Sequence, residues 1–258
     1  MSQLVTPAFL DRLQSLYPSE SSDKGTSFSV SSSFVIYLTV TRLYALHPVW
    51  KNPWYIIATV AFNASNEPEA IPLVFQHALK SASNHDERLL LARKMRDAIY
   101  KGAVNSGFAK GINSLVALDK VMPDELKDKE MIRKPTAQTI PEYEAAGQKF
   151  FQTLYGETAD SVQTILDTIY HDLGWFSNTI AYGMIYGFTE ILTPVETSYT
   201  LIGTLIASDT PRQINWHLKG ARRFGASVEE VKAARQIAME VSELCGVRWK
   251  DGVPELQE

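Results

Sequence analysis

Along residues 53–246 the apolar positions recur with the period of amphipathic helices. The pattern predicts helices over 54–64, 69–80, 86–100, 111–118, 142–156, 159–173, 175–186, 195–206, 211–224 and 228–246. A short amphipathic helix is also expected near the start, where Leu4, Phe9, Leu13 and Leu16 fall on one face. Two stretches break the pattern. Residues 19–33 are rich in serine and read as a loop. Residues 34–46 are dense in Val35, Ile36, Thr39, Val40 and similar side chains that favour a strand, and are expected to be a peripheral addition to a helical core. The three prolines and many charges of 122–141 mark a linker. The expected organisation is an N-terminal helix with an irregular segment (1–52), a first helical half (53–121), the linker (122–141) and a second helical half (142–250).

Two helix starts carry a chemical signature. Thr210-Pro-Arg-Gln213 and Ser227-Val-Glu-Glu230 both fit a capping box, and Gly225 is free to adopt the left-handed conformation that closes the helix before it. The face Ile214, His217, Leu218, Ala221 and Phe224 turns His217 inward.

The halves echo each other. Tyr55, His77 and Arg93 stand in a sequence context like that of Tyr199, His217 and Arg235, with spacings that differ only by loop-sized amounts. A duplication of one helical unit is expected.

Charge and composition narrow the function. The 25 lysines and arginines against 29 aspartates and glutamates leave no cationic excess for nucleic acid. The apolar run 34–46 includes Arg42 and is shorter than the roughly 20 residues a bilayer span needs, so no membrane is expected. The N-terminus lacks the pattern of a secretory signal, and the C-terminal Glu-Leu-Gln-Glu is not a peroxisomal address of the Ser-Lys-Leu type. A cytoplasmic location is expected, with mitochondria and peroxisomes left open. The single cysteine, Cys245, rules out a Cys-x-x-Cys site within one chain, and no histidine pair has metal-ligand spacing. Gly102, Gly107 and Gly111 are too far apart for a dinucleotide loop, so neither metal nor cofactor is expected.

Glu196-Thr-Ser-Tyr199 through Ala207, Pro211 through Ala221 and Phe224 through Val231, together with Tyr155-Gly156 and Ala181-Tyr-Gly-Met-Ile-Tyr-Gly187, resemble the carboxymuconolactone decarboxylase-like family. The resemblance is strong over 155–249 and degenerate over 53–118. It implies an all-α fold related to alkylhydroperoxidase D, assembled as a homo-oligomer (dimer, trimer or hexamer), with a site where helices meet. Peroxidase members carry a cysteine pair ahead of the histidine; with His217 as that histidine, Thr210 and Gln213 occupy the cysteine positions. Decarboxylase members carry a glutamate where Ser198 stands here. Glu196 is the nearest carboxylate, turned through about 200° on the helix.

The leading expectation is a cofactor-independent enzyme acting by acid–base chemistry on a small carbonyl or lactone-type acid. His217, Glu196 and Tyr186 are its candidate catalytic groups, and Trp216, Tyr199, Gln213 and Thr210 its candidate substrate contacts. Each has a plain structural alternative: core histidine, packing aromatics, helix caps. Two other functions stay open, a non-catalytic oligomeric scaffold or small-molecule binding protein, and a thiol peroxidase, disfavoured by the missing cysteines.

Overall fold

A computed structural model describes residues 4–18 and 52–257. Among the described residues every regular element is helical, in agreement with the all-α class expected from the apolar period. The serine-rich stretch and the β-branched segment 34–46 lie outside the described residues.

Two helices form the centre. α2 (Trp54–Ala64) is buried along its whole length, and so is α9 (Pro194–Ala207) from Glu196 onward. Helices buried on all sides have no solvent face to offer, and these two pack directly on each other with the rest of the chain around them. α2 leads through α3 (Ile71–Ala78) to α4 (His85–Ser106), and α9 leads through α10 (Pro211–Arg223) to α11 (Val228–Leu244). The two triplets interlock: α4 packs on its own α2 and on α9, while α11 packs on its own α9 and on α2. This reciprocal exchange is what a pseudo-two-fold between the repeats produces. Repeat-related residues keep related places. Tyr55 and Tyr199 are buried, as are His77 and His217, and Arg93 and Arg235 each grip the chain that follows their triplet, Arg93 through Asp128 and Arg235 through the carbonyls of Val253 and Pro254.

α1 (Pro7–Leu16) lies across this pair of triplets, with Leu10 and Leu13 buried against α2, α3 and α11. Between the triplets run α5 (Phe108–Asp119), α6 (Ile140–Tyr155), α7 (Ala159–Ile169) and the short α8 (His171–Trp175), which passes without a break into a π-helix over Phe176–Tyr186. A plain α-helix was expected there. The π-helix packs against α6 with backbone nearly touching backbone: Gly147 faces the Asn178 carbonyl and Gly183 faces the Tyr143 carbonyl. The stretch 122–141 is tied down along α4. Leu126 is fully buried, Asp128 accepts from Arg93 (Nε 2.9 Å) and Arg96 (Nη2 2.8 Å), and Arg133 donates to Asp97 (2.7 Å).

One capping box forms as expected and the other does not. Ser227 and Glu230 bond reciprocally at 2.7 and 3.1 Å, and Gly225 closes α10 at φ 105°. Thr210 makes no cap bond. The chain leaving α9 turns so tightly through Asp209, at φ 52°, that the Thr210 hydroxyl donates back to the Leu205 carbonyl (3.1 Å), leaving Gln213 exposed. Thr193 and Glu196 form a box instead at the start of α9. Among the described residues no helix is long and apolar enough to cross a membrane.

Candidate functional site

The inner face of α10 carries His217 into a cluster built from three elements. Its imidazole is 3% exposed and stands edge-on to the Tyr155 ring, with centroids 6.0 Å apart. Tyr155 ends α6, and its hydroxyl lies 2.9 Å from that of Tyr182 on the π-helix. The Tyr182 ring meets Tyr186, one turn on, at 5.3 Å. Trp216, half-buried, packs edge-on to Tyr155 at 5.6 Å, and Phe150 and Phe151 stack against Tyr182 and Tyr155 from α6.

Two polar atoms in this apolar cluster have no hydrogen-bond partner: His217 Nδ1 and the Tyr186 hydroxyl. Buried polar groups are ordinarily satisfied, and one left without a partner costs about 1–3 kcal/mol. Both stand in one aromatic cluster. Burial pushes the His217 imidazolium down to about 4, and burial raises the phenols of Tyr155, Tyr182 and Tyr186. At neutral pH the cluster therefore holds a neutral imidazole and neutral phenols, able to accept and donate protons without net charge.

That depression has a measurable sign. The unfolded chain protonates this histidine near 6.5 and the folded chain only near 4, so stability is lost as pH falls through that window. In His217→Gln the acid limb of a melting-temperature profile should flatten between those values. An unchanged profile would mean that His217 is solvated.

The other candidate residues are placed elsewhere. The Glu196 carboxylate caps α9 through the Thr193 N–H (3.0 Å) and is hydrogen-bonded by Lys94 of α4. The Tyr199 hydroxyl lies 3.2 Å from that of Tyr17, which donates to Glu230 at 3.0 Å, so Tyr199 fastens the end of α1 to α9 and α11. The structure thus brings together His217, Trp216 and Tyr186. Thr210 is engaged with the Leu205 carbonyl, and Gln213 faces solvent. Sequence reasoning missed Tyr155 and Tyr182 as site residues. Their signal was present: three tyrosine–glycine pairs, at 155, 182 and 186, each place an aromatic hydroxyl beside a residue that lets backbone approach closely.

His77, the repeat counterpart of His217, is also buried but not orphaned. Its Nε2 lies 3.0 Å from the Asp11 carboxylate, and its ring packs edge-on to Trp54. Cys245 follows α11, half-buried, and burial pushes its thiol up to about 11. Thiol catalysis needs the thiolate. The purified protein should therefore turn over no hydroperoxide with a dithiol reductant above the blank, and Cys245→Ser should change nothing; a rate that this substitution abolishes would contradict it. Among the described residues no group of three or more histidine, cysteine, aspartate or glutamate side chains is placed to hold a metal ion.

No family model matches the chain. Two relatives do. Peroxisomal protein 2 of Saccharomyces cerevisiae is 28% identical over 272 aligned residues, covering 83% of this chain and 96% of the relative. Peroxisomal protein 2 of Schizosaccharomyces pombe is 31% identical over 202 residues, covering 78% of this chain and 91% of the relative.

Proposed function

The chain belongs to the Peroxisomal protein 2 family, and from that premise we propose that it is a peroxisomal, cofactor-independent enzyme of the carboxymuconolactone decarboxylase-like type, acting on a small carbonyl or lactone-type acid. The observation that carries this reading is the pair of unpartnered buried groups, His217 Nδ1 and the Tyr186 hydroxyl, in one aromatic cluster. The resemblance of 155–249 to that family supports it, since the same stretch supplies Tyr155, Tyr182, Tyr186 and His217.

In this mechanism neutral His217 takes a proton from a carbon next to a carbonyl, and the Tyr186 hydroxyl donates a hydrogen bond to the oxyanion that develops. An imidazole held near 4 is a weak base on its own. A substrate carboxylate beside it favours the imidazolium and raises the basicity, because an opposite charge in a low-dielectric site stabilises the protonated form. The chemistry therefore selects acids over neutral carbonyl compounds. Trp216 stands at the half-buried edge of the cluster, against Tyr155.

The second reading, a binding protein without catalysis, is favoured by Glu196, whose carboxylate serves as a helix cap and a partner of Lys94. A spectrophotometric screen of small lactone and keto acids separates the two. Turnover that falls about 100-fold in His217→Gln and clearly in Tyr186→Phe supports the enzyme. Saturable binding with no turnover supports the binding protein. Turnover indifferent to both substitutions defeats the site.

A further inference from the structure

The arm formed by α7 and α8 carries an apolar face that the rest of the described chain leaves uncovered. The two helices pack mainly on each other, on α6 and on the start of the π-helix. At the base of the arm Glu157 is held by Arg223 (3.1 Å). α8 approaches α7 so closely that a Cβ on Gly174 would collide with the Asp167 side chain, and apart from that glycine α8 is exposed throughout.

The apolar stripe of α7 runs through Ala159, Val162, Ile165 and Ile169, at the spacing of one helix face. Its first two members are buried and its last two stand in solvent. The stripe is thus covered at the base of the arm and bare towards its tip, where Tyr170, Leu173, Trp175 and Phe176 add to it. These four and the two isoleucines are each between 37% and 65% exposed. Taking about 200 Å² for a whole large side chain, their exposed fractions come to about 600 Å². That is the upper end for the largest apolar patch of an ordinary monomer. Two such patches laid together would cover about 1,200 Å², the lower bound for a specific and stable interface.

The charges of the arm do not oppose such a contact. Asp160 and Asp167 lie about 140–200° round α7 from both isoleucines, on the side that α8 occupies. Asp172, near the tip, accepts from the Tyr170 hydroxyl (2.7 Å). An apolar face with its carboxylates turned away complements another of its own kind, and in a two-fold pair the same face serves both partners. We propose that the α7–α8 arm is the contact through which this chain pairs with a second copy of itself, arm against arm, with Ile165, Ile169, Leu173 and Trp175 at the centre. The contact does not depend on the proposed enzymatic activity.

Sedimentation velocity of the full chain at about 10 µM, a concentration at which a standard-size interface is populated, tests this. The wild type should run at an even multiple of the chain mass, and Ile169→Glu/Trp175→Glu at half that mass, with association weakened about 100-fold or more. Both side chains are exposed in the single chain, so the double variant should keep its cooperative melt. Phe108→Glu, which changes an exposed apolar residue on α5, should leave the mass as it is in the wild type. The proposal is overturned by a monomeric or odd-numbered wild type, by a double variant of unchanged mass, or by dissociation in Phe108→Glu. It is equally overturned by a monomer that binds phosphatidylcholine vesicles and is released by the double substitution, since the arm would then face lipid.

Discussion

Asp97→Ala is expected to lower the unfolding free energy by about 3–5 kcal/mol, the cost of stripping the counter-charge from cations that stay buried. The Asp97 side chain is 2% exposed, and it faces Lys101, which is fully buried, and Arg133. Lys101 keeps its hydrogen bonds to Thr197 Oγ1 and the Phe188 carbonyl, both 2.8 Å, so its ammonium stays solvated by the protein but loses its strongest counter-charge, Glu196 acting more weakly. Urea titration measures the loss. Adding Lys101→Met should recover part of it, because the unbalanced charge leaves with the lysine. A single substitution costing less than about 1 kcal/mol, the range of surface pairs, would show that water reaches the pair.

The same lysine predicts an alkaline trend. Burial holds Lys101 at about 8, helped by Arg133 and opposed by Asp97, whereas the unfolded chain keeps that proton to about 10.5. Between those values the unfolded state binds more protons, so the Lys101 contribution to stability rises with pH. Without Asp97 the rise should begin at lower pH. Above about 10 the buried tyrosines reverse it, since the unfolded chain ionises them first.

Gly147→Ala is expected to be comparably severe. A Cβ there would fall deep inside van der Waals contact with the Asn178 carbonyl, and also against the Gly183 nitrogen. Both are backbone atoms of a helix, so no side chain can swing aside. The loss should exceed about 4 kcal/mol, seen as failure to melt cooperatively or as a large drop in midpoint. Gly225→Ala gives the scale: nothing lies within 4 Å of its Cβ, and only the positive φ of 105° is strained, which costs about 1–2 kcal/mol. If Gly147→Ala costs no more than Gly225→Ala, α6 and the π-helix can separate without penalty, and the Tyr155–Tyr182 contact is not rigid.

Helices were legible in the sequence wherever one face had to be buried and the other wetted. The central pair was legible for the opposite reason, since 54–64 offers no polar face at all. The inward turn of His217 followed from the period of α10 alone. Three features were not legible. The π-helix uses the same residues as an α-helix and differs only in bonding, which follows from the close approach to α6 rather than from local propensity. Thr210 has a cap residue's chemistry, but the tight turn from α9 offered its hydroxyl a nearer acceptor. Tyr17 and Tyr199 meet across most of the length of the chain, and nothing in either local sequence announces the pairing.

The interlocked triplets put two equivalent positions under different control. In an assembly of two identical triplets, any substitution would act on both histidines at once. Here one polypeptide carries both, and they have parted: His77 is held by Asp11 of α1, while His217 faces Tyr155 of α6 and keeps an unpartnered nitrogen. One copy can thus anchor the fold while the other is released from that duty. Removing α1 should therefore be felt first at His77, and a chain in which the second triplet also received an acidic partner for its histidine would gain stability and leave no unpartnered imidazole nitrogen at either position.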